Sequence, residues 1–184
     1  MRKIGKLCLS WDSRHKYTAD ELDRVDDEYE RGLQNGKTLI LGTLVARSGT
    51  MWLCDIFDAH QNATGVTERF FEAESFYRYV CFYNLPIDTS GIIKLIKKGI
   101  VEDWKRGDVA LVYSPYFSHG ILDLRKELKP KKIIVAVNDP KFTVQSLYNK
   151  GLFKHYYVRD NPHLALGYQS ALTYVKNWKQ FAQK

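Results

Sequence analysis

Residues 37–44, KTLILGTL, and the stretch that follows to residue 60, VARSGTMWLCDIFDAH, decide the fold. The first is a short apolar run suited to a buried strand. The second turns through Arg47, Ser48 and Gly49 and becomes apolar-periodic from Thr50, the pattern of a helix. Strand, tight loop and helix in that order form half of a βαβ unit.

Working outward, the same pattern returns three times. Residues 64–70, TGVTERF, lead into the helical ESFYRYVCFYNL; residues 108–114, DVALVYS, lead into YFSHGILDLRKELK; and residues 131–139, KKIIVAVND, lead into PKFTVQSLYNKG, where Pro140 suits a first helical turn. Strands alternating with helices imply right-handed crossovers and a parallel sheet covered on both faces, so the fold class is α/β, a three-layer sandwich with a central parallel sheet of about four strands. Upstream, Thr18-Ala19-Asp20-Glu21 reads as a capping box opening an acidic, exposed helix through about Leu33, with Gly36 to end it. Residues 1–36 are therefore an N-terminal extension with a helix and residues 37–184 the α/β domain, one domain overall. The last segment, HLALGYQSALTYVKNWKQFAQK, reads as one more helix.

Composition narrows the classes. The chain has 184 residues, 45% hydrophobic and 14% aromatic, which suits one folded core. No apolar stretch approaches the length of a membrane span, and the basic start lacks the apolar region of a leader, so a soluble, cytoplasmic, unprocessed chain is expected. Lys plus Arg exceed Asp plus Glu by 28 − 21 = +7, which favours anionic partners without choosing among them. Cys8, Cys54 and Cys81 form no CxxC pair, and the five histidines form no HExxH, so no metal is expected. Asn62-Ala63-Thr64 fits a glycosylation acceptor, which matters only for a secreted chain. The lysines are scattered and no recognised nucleic-acid module appears, so no nucleic acid is expected as partner.

In such sheets ligands sit beyond the carboxyl ends of the strands. The loop after residue 44 offers backbone amides, the hydroxyls of Ser48 and Thr50 and the Arg47 guanidinium where a helix begins, a natural cradle for an anion. It is not a Walker A loop, since no Gly-Lys-Ser/Thr follows at the required spacing, nor GxGxxG, nor a nucleophile elbow, because Ala46 and Thr50 stand where glycines would flank Ser48. An ordinary strand-to-helix turn is the other reading.

Residues 45–53, V-A-R-S-G-T-M-W-L, resemble the 5′-phosphosulfate loop of the sulfotransferase family. Arg47, Ser48, Gly49 and Thr50 match it, Ala46 stands at its usual proline and Met51 at its second threonine. Residues 132–148 resemble the strand and helix that hold the nucleotide 3′-phosphate in that family, with Pro140 followed six positions later by Ser146, and with Asn138 where arginine is frequent. Residues 66–71, V-T-E-R-F-F, resemble the glycan-modifying, heparan-type branch, in which a glutamate before paired aromatics is the general base; Glu68 takes that place. Residues 112–117, V-Y-S-P-Y-F, are similar to that branch's Lys-Ser-x-x-Tyr-Phe turn, with Tyr113 at the lysine. The matches keep the family's order over about residues 38–148, and more loosely to about 181. The family's final strand and basic closing loop do not follow. Lys97-Lys98-Gly99 is similar to that loop but precedes the fourth strand; an amphipathic helix is the alternative.

The resemblance implies a P-loop-like domain that moves a sulfuryl group from 3′-phosphoadenosine 5′-phosphosulfate (PAPS) to an acceptor hydroxyl of a small molecule or glycan, with the desulfated nucleotide (PAP) as product and no metal. It makes Arg47, Ser48, Gly49, Thr50, Met51, Asn138 and Ser146 donor-binding, Arg47 and Glu68 catalytic, and Ser114 and Tyr116 acceptor-lining. His60 and His119 are substitutes for Glu68 as base. Glu68 would neighbour the Arg47 loop if their strands are close in the sheet; its other reading is a surface carboxylate paired with Arg69 or Arg47. Ser114 and Tyr116 read equally as a packing turn. Acceptor choice is expected in the loop from Asn84 to Gly91. A nucleotide-binding pseudoenzyme and a kinase-like phosphotransferase are the alternative functions, and oligomeric state is not legible.

Overall fold

A computed structural model describes residues 17–44 and 49–149. Four strands, β1 (Thr38–Leu44), β2 (Ala63–Thr67), β3 (Val109–Tyr113) and β4 (Lys132–Ala136), alternate with helices. The helices are α1 (Ala19–Asp23), α2 (Val25–Gln34), α3 (Thr50–Asp58), α4 (Phe71–Tyr83), α5 (Ser90–Asp103), α6 (Ile121–Leu128) and α7 (Pro140–Asn149), with a 3₁₀ turn at Pro115–Phe117. The sheet is all-parallel in the order β2-β3-β1-β4. Every expected strand is present.

Strand alternation fills two cores. Leu39, Leu41, Ala110 and Val112 point to one face, where Tyr29, Phe70, Tyr77, Ile96, Trp104 and Leu124 meet them from the helices. Leu44, Leu111 and Tyr113 point to the other, against Cys54, Leu53 and Phe57 of α3. The handedness of crossovers explains the split. The connection from β1 to β2 runs toward one sheet edge, whereas those from β2 to β3 and from β3 to β4 run back, so α3 covers the face opposite α4, α5 and α6. This is the three-layer α/β sandwich. Among the described residues no helix is long and apolar enough to cross a membrane.

The N-terminal helix differs from expectation. Its capping box forms, the Thr18 hydroxyl accepting from the Glu21 amide at 3.2 Å while the Glu21 carboxylate accepts from the Thr18 amide at 2.8 Å. The single helix is divided at Arg24, however, and α2 is not exposed. Leu22, Val25, Tyr29 and Leu33 recur at spacings of three and four, so one stripe is apolar, and Val25 and Tyr29 are fully buried against the core. The acidic side of α2 has its own partners on α5: Asp26 takes Lys97 at 2.7 Å and Glu28 takes Lys98 at 3.6 Å.

Those pairs also settle the Lys97-Lys98-Gly99 run. It lies within the amphipathic helix α5, both lysines are buried along their stems, and their ammonium groups lie over the rings of Tyr29 and Tyr17 at 5.5 and 6.0 Å. No basic loop forms there. The attraction between α2 and α5 has already taken its charge.

Candidate functional site

Strand order arranges the carboxyl edge. Thr67, Tyr113 and Gly42 share one rung across β2, β3 and β1, and Leu44 pairs with Ala136 across to β4. Reading along the edge, Glu68 follows β2, Ser114 follows β3, residues 45–48 follow β1, and Asn138 follows β4. Glu68 and the end of β1 at Leu44 are thus not neighbours. β3 lies between them, a separation of roughly 10 Å at two strand spacings. Sequence periodicity carries no information on which strands pair, and that is why the closeness of β1 and β2 was only conditional.

Arg47 and Ser48 lie outside the described residues. Just after them Gly49 caps α3 with φ of +85°, the left-handed region where a side chain is strained, and a Cβ there would meet open space. Thr50 heads the helix. Met51 and Trp52 follow with 70% and 67% of their surface exposed, so the first turn of α3 is open to solvent. Beside it, the buried hydroxyls of Thr67 and Tyr113, which share a rung, have no hydrogen-bond partner among the described residues. Burial pushes the Tyr113 phenol up to about 12.

Glu68 sits in the left-handed region at φ of +48°, an uncommon conformation for a glutamate, in the turn that leaves β2. Burial raises the pKa of its carboxyl above the ordinary value. Among the described residues it has no hydrogen-bond or ion-pair partner. The pairing with Arg69 does not occur. Arg69 turns instead to α5, donating to the Gly99 carbonyl at 2.5 Å and pairing with Asp103.

The edge also holds a carboxyl that the sequence did not announce. Glu74 on α4 is 1% exposed, and its two oxygens accept from the Ser114 hydroxyl at 2.6 Å and from the Phe70 amide at 3.1 Å. Burial pushes it up to about 7 against the opposing pull of those two hydrogen bonds, and the charge of Glu68 adds to the rise. The available signal was a glutamate among Phe70, Ala73, Tyr77 and Val80, at core spacing on a helix where charge is rare. Ser114 joins more than Glu74: its amide donates to the Gly42 carbonyl at 3.0 Å, its carbonyl accepts from the Thr43 hydroxyl at 3.1 Å, and its hydroxyl accepts from the Tyr116 amide at 3.2 Å. Through these bonds the ends of β1, β2 and β3 are fixed to one another.

Ser114 and Tyr116, both candidates for the acceptor cleft, are buried. The Tyr116 ring meets that of Phe71 edge to face at 5.4 Å. On the far side of β1, the Asn138 side-chain carbonyl accepts from the Asp139 amide at 2.9 Å, and the Asp139 carboxylate accepts from the Lys141 amide at 2.8 Å at the start of α7. Pro140 begins that helix as expected, and Ser146 lies partly buried within it. His60 precedes β2 at the opposite, amino edge of the sheet, so it cannot substitute for Glu68. His119 is on the carboxyl side and stacks on Phe82 at 4.9 Å.

The loop from Asn84 ends where α5 begins at Ser90. It borders a recess of about 810 Å³ between α4, α5 and α6, with Tyr77, Leu85, Ile87, Ile93, His119 and Glu127 on its walls. That volume is in the range of small-molecule sites. Among the described residues no His, Cys, Asp and Glu side chains cluster as a metal site would require. No protein-family model, no curated protein and no solved structure matches this chain.

Proposed function

We propose that this chain is a sulfotransferase that moves a sulfuryl group from PAPS to an acceptor hydroxyl. The observation that carries the reading is the order of groups along the carboxyl edge. The β1 loop has Asn138 on one flank and Ser114, Tyr116 and Glu68 on the other, so a nucleotide held at the loop would have its 3′-phosphate side toward β4 and its transferable group toward Glu68. The open first turn of α3, the room at Gly49 and the two unpartnered hydroxyls beside it suit an anionic ligand.

The donor supplies an activated sulfuryl group and carries away the charge on the departing phosphate oxygen. The amides of residues 48–51 and Arg47 hold that charge before and after transfer, a role of positioning and electrostatic stabilisation. Glu68 takes the proton from the acceptor hydroxyl as its oxygen bonds to sulfur and the bond from sulfur to the phosphate oxygen breaks. Its lack of a partner among the described residues and the burial that raises its pKa suit the role of base. The place of β3 between β2 and β1 favours donor binding without transfer, and in the proposed reaction the acceptor spans from Glu68 to the donor held after β1.

The test is thermal unfolding of the full chain with PAP, with ATP and alone, followed by labelled donor offered to glycans and small alcohols. Stabilisation by PAP above ATP supports the reading. An identical melting temperature in all three removes it, and donor binding without label transfer leaves the pseudoenzyme.

A further inference from the structure

Arg78 on α4 is 7% exposed, its Nε is fully buried, and among the described residues its side chain makes no hydrogen bond and no ion pair. A guanidinium stays protonated under any condition in which the protein is folded, so it cannot escape burial by losing its charge. Only the Nε is fully enclosed and the two Nη nitrogens are not, so the guanidinium keeps an open side; a charge this deeply buried is costly to a fold until it is paired. The natural partner is one turn away: Glu74 is four residues earlier, the spacing at which glutamate and arginine pair on a helix. Its carboxylate is committed to Ser114 and Phe70 instead.

The direction of the Arg78 side follows from its neighbours. Phe71, one residue short of Glu72, and Phe82 lie seven residues before and four after Arg78, on the same helical face. Phe71 meets Tyr116 and Phe82 stacks on His119. Arg78 therefore faces the turn of residues 116–119, within the layer that carries Ser114 and roughly 10 Å along the helix from the Glu68 turn. Of the 21 acidic residues only Asp12 and Asp160 lie outside the described residues. The internal candidates for a counter-ion are accordingly few.

We propose that Arg78 anchors an anion-binding site between α4 and the 116–119 turn, which takes an oxyanion group, carboxylate or sulfate, carried by the acceptor. That the bearer is the acceptor rests on the sulfotransferase reading; the site itself does not.

The experiment follows the Arg78 Nε–H resonance in the ¹⁵N-labelled full chain, assigned with Arg78→Lys, while inorganic sulfate or acetate is added at constant ionic strength. Both titrations are run with and without PAP, so that failure of PAP to bind removes the sulfotransferase reading while the anion site is still measured. A saturable shift is expected with at least one anion, and Arg78→Met is expected to melt at or above the wild-type temperature and to lose the stabilisation by that anion. Response to sulfate alone or acetate alone identifies which oxyanion the site takes. A resonance that neither anion moves overturns the proposal. So does an Arg78→Met variant melting well below wild type, and Asp12→Asn or Asp160→Asn melting equally low would then identify the internal partner.

Discussion

The Ser114 hydroxyl donates to the Glu74 carboxylate at 2.6 Å, and this bond joins the end of β3 to a helix that starts from the end of β2. A carboxylate in that position is ionised at a cost, because burial raises its pKa from the ordinary 4.5 to about 7. The unfolded chain ionises first as pH rises, so the stability held below about pH 4.5 is lost progressively and the loss is complete near pH 7. A shift of that size corresponds to about 3 kcal/mol. Glu74→Gln keeps an acceptor for the Phe70 amide and a donor for the Ser114 oxygen. Denaturant unfolding at pH 5 and pH 8 should therefore show the variant gaining about 2–3 kcal/mol on the wild type between the two. An unchanged difference would mean that Glu74 is not the group that titrates.

Glu68 joins its proposed role as base to backbone strain. Glu68→Gln keeps the shape and removes the base, so turnover should fall by roughly 10²–10⁴ with donor affinity little changed. Glu68→Gly removes turnover as well, yet relieves a left-handed residue and should raise stability by about 1 kcal/mol. Calorimetry and a transfer assay on the two variants check both halves. Near-normal turnover in the Gln variant would transfer the role to His119.

Donor recognition should read the 3′-phosphate. PAP is expected to raise the melting temperature more than AMP, and Asn138→Ala and Ser146→Ala to narrow the gap. Arg47→Ala should weaken both PAP binding and transfer, while Arg47→Lys keeps part of each as a point charge without the planar fork. Equal shifts with PAP and AMP would exclude the 3′-phosphate site.

Gly42 has no room for a side chain, because the Tyr113 ring lies across it from the neighbouring strand. Gly42→Ala should cost about 1–3 kcal/mol, the range for an overpacked core. In a Tyr113→Ala background the same change should cost almost nothing, since the colliding ring is gone. Denaturant midpoints of the four chains close the cycle. Equal costs in both backgrounds would place the clash elsewhere.

The strand-loop-helix repeats were legible because each is local: an apolar run, a turn, then helical spacing within about twenty residues. Strand order was not, since what puts β3 between β1 and β2 is the pairing of Thr38–Gly42 with Val109–Tyr113, 71 residues apart. The same holds for the site. The Gly49 turn and the placement of Glu68 after β2 could be read from neighbours in sequence. Glu74 showed only as a charge at core spacing, and its role, like that of Arg78, depends on Ser114 and on which partners the described residues supply across the helix face. Exposure of α2 was misread for a related reason: its acids suggested solvent, whereas Lys97 and Lys98 on α5 were waiting for them.

The Tyr29 hydroxyl donates to the Leu128 carbonyl at 2.6 Å, across 99 residues of chain. During synthesis α2 emerges early, but both this carbonyl and the α5 lysines that neutralise its acids are still to be made. At about 5–20 residues per second, the helix waits on the order of 5–20 s beyond its own translation before its buried face can be covered. Until α5 is made, Asp26 and Glu28 are without the lysines that hold them in the fold, so the docking of α2 is a late, long-range event rather than a local one.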